Sequence, residues 1–501
     1  MKGFLTRDFF LNIGTYYIQL VVSLLVLIIT TPLIINHLGE ESYAVWSLLL
    51  SFIPFVLLLD LGLSTAVTQF IASNIKKLSR TELHQHLAAM AGVIALGFLF
   101  TVLAAVFASF NLDIFENQLI QKNKIGLALL VIGVSAALQL CLSFLIGVIY
   151  GHDKIVFVNM LHIIQQLMFF LGVVFFLKYF PSWSILCLSL GHIVGVLSAL
   201  LIATILTWHA RLIRASSFLE APKQIHKLKK VMLFSFRIFI GNITSRILYN
   251  TDNIIIALIV GLVDLGKYDV AWKLCFYSTY LASAISYAMF PKLSNLFAQK
   301  NGKVLFFDSF LNVQQLSLAI GFSICIWLLF TWKTIIALWI NEDFILSSEV
   351  FLCLLTMNLI HISSGPAGNA LVAVGQNKEM MYCEVVNACL NLIFSVVLAS
   401  YFGLVGVALG TLFAALLTSF WYVPLTLCRK IEIPISELVV RALPRPFVFA
   451  LIMLSVAFWL FGDMSVAVEL DLFILASICF GIVSVGLWLC LIKFDFQRLK
   501  R

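Results

Sequence analysis

The chain has 501 residues, 62% of them hydrophobic and only 11% charged, with a formal net charge of +8. An ordinary soluble domain carries about 25% charged residues, and a membrane-crossing helix needs roughly 20 apolar residues in a row. The length and frequency of the apolar runs therefore exclude a soluble globular protein and make lipid the solvent. The positive charge does not point to nucleic acid, because the basic residues are gathered in short loops between apolar runs.

Read along the chain, those runs predict an all-α polytopic membrane protein. Fourteen transmembrane helices are expected, starting near residues 10, 43, 84, 124, 155, 184, 232, 266, 304, 346, 379, 403, 443 and 470. The first run continues from Arg7 to about Ile35 without an A-x-A site, too long for a signal peptide, so it is expected to remain as a helix. Lys76, Lys77, Arg80, Lys154, Arg211, Arg214, Lys378, Arg429 and Lys430 fall in one set of alternate loops. The other set holds Lys122, Lys124, Lys178 and Lys333 among acids such as Glu40, Glu41, Glu342 and Asp343. By the positive-inside rule both termini are expected in the cytoplasm.

Two fragments recur. Gly151-His152-Asp153-Lys154 resembles Gly375-Gln376-Asn377-Lys378 at an offset of 224, and Tyr43 to Leu48 resembles Tyr268 to Leu274 at 225. An offset of six spans implies two parallel lobes about an axis along the membrane normal. The expected plan is a six-helix lobe over 1–208, a basic cytoplasmic linker over 209–231, a second six-helix lobe over 232–428, and two additional helices with a cytoplasmic tail over 429–501. A central cavity is expected between the lobes.

A charged side chain at mid-membrane costs roughly 2.5–3.5 kcal/mol on insertion scales, so each one there should face protein or water. Asp60 lies past the middle of span two, and Glu384 in span eleven shares a face with Asn387 and Asn391. Either carboxylate carries a coupling proton or sodium ion, or caps a neighbouring polar group. In span seven, Asn242, Arg246, Tyr249 and Asn253 cluster on one helical face with Arg237 and Asp252 at its flank, opposite Ile240, Ile243, Ile247 and Ile254. Arg237 and Arg246 either grip an anionic group of a substrate, for which guanidinium is well suited, or pair internally with Asp252 or another acid. Lys273 either joins that cationic set or is held by Asp269 four residues earlier. Ser363 to Asn369 in span ten contains Pro366 between Gly365 and Gly368, which either breaks the helix at a water-filled cavity or leaves a packing kink.

Other signals are weaker. Gly147 and Gly151, Gly191 and Gly195, and Gly406 and Gly410 have the spacing that lets helices approach closely, a spacing common in apolar helices. The ten cysteines show no C-x-x-C pair and read as small hydrophobes. No catalytic motif or metal-ligand spacing is present, and there is no G-x-x-x-x-G-K-[ST] loop, so energy must come from an ion gradient, a substrate gradient or a partner.

TPLIINHLGEESYAVWSLLLSF (Thr31 to Phe52), LLLDLGLSTAVTQFIA (Leu57 to Ala72) and GLVGVALGT (Gly403 to Thr411) resemble Wzx-type polysaccharide and O-antigen flippases of the multidrug/oligosaccharidyl-lipid/polysaccharide (MOP) exporter superfamily. The resemblance implies a protein of the bacterial inner membrane, not an enzyme, without a cofactor beyond a possible coupling proton or sodium ion. It would move an undecaprenyl-diphosphate-linked oligosaccharide from the cytoplasmic to the periplasmic leaflet for O-antigen or capsule assembly. It also implies a polysaccharide polymerase and a chain-length regulator as protein partners, and only Asp60 carries over by motif. Arg237, Arg246, Lys273, Asn242 and Asn253 are the candidate diphosphate and sugar ligands; Asp60, Asp252 and Glu384 are the candidate coupling or cavity acids. The alternatives are an ion-coupled multidrug exporter of the same superfamily and a membrane polymerase or glycosyltransferase.

Overall fold

The computed structural model describes residues 7–74, 79–110, 122–183, 185–212, 229–297, 299, 302–462 and 470–498, and among these there is no strand. The helices are α1 (Arg7–Leu38), α2 (Glu40–Val56), α3 (Leu63–Asn74), α4 (Arg80–Phe110), α5 (Lys122–Gly151), α6 (Ile155–Tyr179), α7 (Ile185–His209) and α8 (Lys229–Ile255). They continue as α9 (Leu262–Phe297), α10 (Gly302–Trp339), α11 (Ser348–Ala373), α12 (Asn377–Leu417), α13 (Ser419–Ile431), α14 (Ile435–Ala442), α15 (Pro444–Phe461) and α16 (Leu470–Arg498). The predicted starts lie within four residues of a helix start, except the one near 403, which falls inside α12. That agreement has a simple cause, since the bilayer fixes how long an apolar run must be before a polar break is tolerated.

Among the described residues, eleven helices are long and apolar enough to cross a membrane, or twelve if the bent pair Ile238–Leu248 and Asn250–Val260 is one span, against the fourteen expected. The shortfall falls on α9, whose polar residues keep it outside that set, and on Lys378–Ile431, which is counted once. Lys378–Ile431 is folded on itself. Gly403 takes φ 56 and ψ −131 inside α12, a conformation that side-chain-bearing residues avoid. Twenty residues of straight helix would hold Asn391 and Thr411 roughly 30 Å apart, yet Asn391 Nδ2 donates to Thr411 Oγ1 at 2.9 Å.

The chain divides into two compact units, Met1–Arg246 and Ile247–Arg501. Within the first, Leu63, Val67 and Ile71 of α3 pack with Leu87 and Met90 of α4 and with Leu140 and Phe144 of α5. In the second, Phe306 and Phe310 of α10, Leu371 of α11 and Leu427 of α13 form one core. A further core seats α15 and α16 on α10 through Phe449, Met453, Phe461 and Phe480. Ser323 and Ser484 share a hydrogen bond at 2.7 Å, and Trp327 Nε1 donates to Ser477 Oγ at 3.2 Å, both between α10 and α16. The outward faces are apolar, with Trp459 82% exposed, which only a lipid surrounding permits without cost. The linker expected over 209–231 lies mostly outside the described residues.

The paired glycines make real crossings. A Cβ at Gly147 would stand 2.3 Å from the Ser64 carbonyl, at Gly195 2.7 Å from that of Gln165, and at Gly410 2.4 Å from the Ser395 amide. Only residues without a Cβ allow backbones to meet that closely.

The turns define a repeat register different from the one in the sequence fragments. Gly39 joins α1 to α2 at φ 82 and Gly261 follows α8 at φ 146; Asp153 ends α5 at φ 60 and Gly375 ends α11 at φ 82. Both pairs are 222 positions apart. The helix ends match in detail, since Lys154 N donates to Ile149 O at 3.2 Å and Gln376 N to Leu371 O at 3.0 Å, the six-to-one bond of a Schellman cap. Gly151 is thus not the partner of Gly375. Shared glycine identity misaligned the turn by two residues, because what recurs is the left-handed position and not the residue type.

Of the two readings of span ten, a break and a packing kink, the helix shows no break, for α11 runs from Ser348 to Ala373 with Pro366 inside it. Proline removes one helical donor and crowds the preceding carbonyls. Gln314 Nε2 of α10 donates to the Ser363 carbonyl at 2.8 Å, one residue past the Ile362 carbonyl that Pro366 deprives of its helical donor, and Pro366 and Gly368 are buried.

Candidate functional site

The first unit carries its charges at the end of span two. A 3-10 turn over Leu57–Asp60 ends in Leu61 at φ 51 and Gly62 at φ 75. The buried Asp60 carboxylate closes the turn, its Oδ1 accepting from Gly62 N at 2.6 Å. An aspartate that captures the amide two residues on is the local device that stabilises such a turn. Gly62 is pressed on α8, where a Cβ would lie 2.5 Å from Ser235 O and 3.0 Å from Phe239 N. Arg246, half-buried two helical turns beyond Phe239 on the same face of α8, is attracted electrostatically by Asp60. The expected cap is therefore present, and the same carboxylate also serves a buried cation.

In the second unit a hydrogen-bonded cluster surrounds Asp252. The Tyr268 hydroxyl of α9 donates to Asp252 Oδ2 at 2.9 Å, and the Thr411 hydroxyl of α12 reaches the same oxygen at 3.0 Å. Asn391 Nδ2 donates to Thr411 Oγ1 at 2.9 Å. All four residues are buried. Among the described residues, Asp252 Oδ1 and Asn391 Oδ1 are buried and accept no hydrogen bond. Buried polar atoms in native proteins are almost always paired, so two bare oxygens in one cluster suit a proton or a hard cation, which takes oxygen ligands. A carboxylate, an amide carbonyl and a hydroxyl are such a donor set.

The remaining nominated residues are placed as follows. Lys273 Nζ meets Asp269 Oδ2 at 2.6 Å, with the two side chains 17% and 6% exposed. Asn387 donates to Ser419 Oγ at 3.3 Å. Glu384, seven residues before Asn391, is half-buried. Asn242 and Asn253 are half-buried on α8, while the side chains of Arg237 and Tyr249 lie outside the described residues. Sequence reading nominated Asp252 but missed Tyr268 and Thr411, which meet it across gaps of 16 and 159 residues.

At the register of 222 set by the turns, Tyr268 corresponds to Trp46 and Asn391 to Phe169. Those two rings are stacked at 6.3 Å with an interplanar angle of 10°, and both lie edge-on to His192 at 6.4 and 6.1 Å. His192 Nδ1 is tied to Ser135 Oγ at 2.7 Å. At these two positions the first unit has stacked aromatic rings, while the positions of Asp252 and Thr411 correspond to Thr30 and Ser189, whose buried hydroxyls leave the first unit without a carboxylate there.

The family model described as "Polysaccharide biosynthesis protein" matches residues 6–297. The Salmonella typhi protein named "Putative O-antigen transporter" is 24% identical over 413 residues, covering 79% of this chain and 90% of the relative. The solved structure of the lipid II flippase MurJ in an inward closed conformation superposes with a TM-score of 0.74 at 16% identity, over 98% of this chain and 100% of that one. An inward-facing multidrug resistance MATE family transporter of the MOP superfamily gives 0.62 at 12% identity, over 82% and 96%. These two likenesses show that the chain shares the fold of those transporters, in accord with the architecture expected from the resemblance read from Thr31–Ala72.

Proposed function

Because the chain belongs to the polysaccharide biosynthesis protein family, we propose that it is a flippase that carries a polyprenyl-diphosphate-linked oligosaccharide from the cytoplasmic to the periplasmic leaflet of a bacterial inner membrane, with both termini in the cytoplasm. A diphosphate and its sugars cannot cross hydrocarbon, whereas the polyprenyl tail can stay in lipid throughout. Alternating access of a polar path to each leaflet is then sufficient, and no bond is made or broken. O-antigen or a related surface polymer is the destination, with a polymerase and a chain-length regulator as downstream partners.

The observation that carries this reading is Arg246, a guanidinium half-buried in an apolar helix of a polysaccharide-family membrane protein. A cation at that depth is costly and marks a substrate path or an ion pair, and arginine matches phosphate oxygens in a bidentate way. Lys273 is the second candidate for the same anion. Cationic groups favour an anionic cargo over the cations that a multidrug exporter would take.

Asp252, Tyr268, Thr411 and Asn391 would hold the coupling proton or sodium ion. The two bare buried oxygens support this.

The test is genetic and biochemical. Removing the protein should abolish surface polysaccharide while undecaprenyl-linked repeat units accumulate on the cytoplasmic face. Single repeat units still reaching the outside would point to a polymerase instead, and an unchanged surface would point to drug export.

A further inference from the structure

Asp60 is held more firmly than a cap requires. Its Oδ1 is fixed by Gly62 N at 2.6 Å. Gly62 cannot retreat, because its α-carbon abuts the α8 backbone between Ser235 and Phe239. The carboxylate is therefore kept at a set height beside the helix that carries Arg246, and the two charges attract. All of these groups belong to the first compact unit.

We propose, on the flippase reading above, that Asp60 is the built-in counter-ion of Arg246, that the diphosphate of the substrate displaces it, and that it thereby limits how tightly the diphosphate is held. In the substrate-free protein the pairing lowers the cost of holding a guanidinium in an apolar bundle. A diphosphate brings more negative charge and more oxygens than one carboxylate, and it wins the guanidinium by forming charge-assisted bonds. Asp60 cannot swing far away, since its turn is clamped. It remains near the bound diphosphate and repels it. A carrier needs that repulsion, because a site must bind well enough to load and weakly enough to unload.

The experiment uses the full-length protein in neutral-lipid nanodiscs, with farnesyl diphosphate as the probe and farnesol as the uncharged control. Asp60→Asn keeps an oxygen for Gly62 N and removes the charge, so it should bind farnesyl diphosphate about ten-fold more tightly while slowing repeat-unit translocation in cells. The gain should vanish when Asp60→Asn is combined with Arg246→Gln. Asp60→Ser, whose hydroxyl can also accept from the turn, is the second neutral variant if the asparagine does not fold, with the same expectation. Wild-type binding that neither variant tightens would overturn the counter-ion role and leave the flippase reading standing. Wild-type protein that does not prefer farnesyl diphosphate to farnesol would overturn both.

Discussion

Tyr268 donates its hydroxyl hydrogen to Asp252 Oδ2 at 2.9 Å, and the other carboxylate oxygen is buried with no hydrogen bond among the described residues. Asp252 is thus half satisfied by its own protein. A hydrogen bond to a charged group contributes about 1.5–3 kcal/mol, so Tyr268 and Thr411 orient Oδ2 firmly while Oδ1 stays available.

If Oδ1 binds the coupling ion, sodium or acid should raise the melting temperature of the wild-type protein, because a ligand that binds only the folded state stabilises it. Asp252→Asn should remove that response, and Tyr268→Phe and Thr411→Val should weaken it by roughly ten-fold in apparent ion affinity. Melting curves across sodium concentrations and pH values check this. An undiminished ion response in Asp252→Asn would rule the site out.

Lys273 and Asp269 present a different case, because their mutual contact at 2.6 Å is itself a sufficient explanation of why a lysine sits in α9. Removing one member of a largely buried ion pair costs up to about 3–5 kcal/mol. Asp269→Asn alone should therefore be poorly folded, and the double change Asp269→Leu with Lys273→Met should regain most of the stability. Repeat-unit translocation by the stable double variant then separates the two roles. Retained transport makes the pair structural, and lost transport makes Lys273 a substrate ligand.

Much of the fold was legible in the sequence, and the reason differs from element to element. Helix starts were readable because hydrocarbon thickness sets a minimum apolar run, as for α6 beginning at Ile155. The reversal inside α12 was readable as a new span near 403, though not that it turns on the positive φ of Gly403 alone. Whether α11 breaks or continues at Pro366 was not readable, because that depends on the buried packing of the turn against other helices and not on the local sequence. The site divided along the same line. Asp60 carries a local motif, and its turn is local. The Asp252 cluster depends on Thr411, 159 residues away, and no local pattern could join them.

The glycine crossings give a direct stability comparison. A Cβ at Gly410 would sit 2.4 Å from the Ser395 backbone amide and 2.6 Å from its Cα, so Gly410→Ala should separate the two halves of α12. A clash with backbone in a packed interior costs about 1–3 kcal/mol or more. Gly481, on α16, meets nothing within 4 Å. Gly481→Ala should instead gain roughly 0.5–1 kcal/mol from helix propensity. Thermal unfolding of the two variants in one detergent should show opposite shifts, and equal shifts would mean that the α12 halves do not pack as described.

Arg441 fastens the short helix α14 to α10. Its guanidinium reaches Asp308 Oδ1 at 2.7 Å and Glu437 Oε1 at 3.2 Å, and it lies 5.2 Å from the centre of the Phe307 ring. The carboxyl partners are 48% and 42% exposed, so each ion pair is screened and contributes at most about 1 kcal/mol, with a similar amount from the ring contact. Arg441→Ala should therefore cost about 1–2 kcal/mol. Arg441→Lys should recover only part of it, because an ammonium cannot serve two carboxylates in the plane of a fork. Salt supplies the discriminating measurement. Raising sodium chloride from low to about 0.5 M shortens the screening length to a few ångströms, and should lower the melting temperature of the wild-type protein relative to Arg441→Ala until only the ring-contact part of the gap is left. A gap that salt leaves unchanged would assign the whole effect to the lost packing on Phe307 and none of it to the ion pairs.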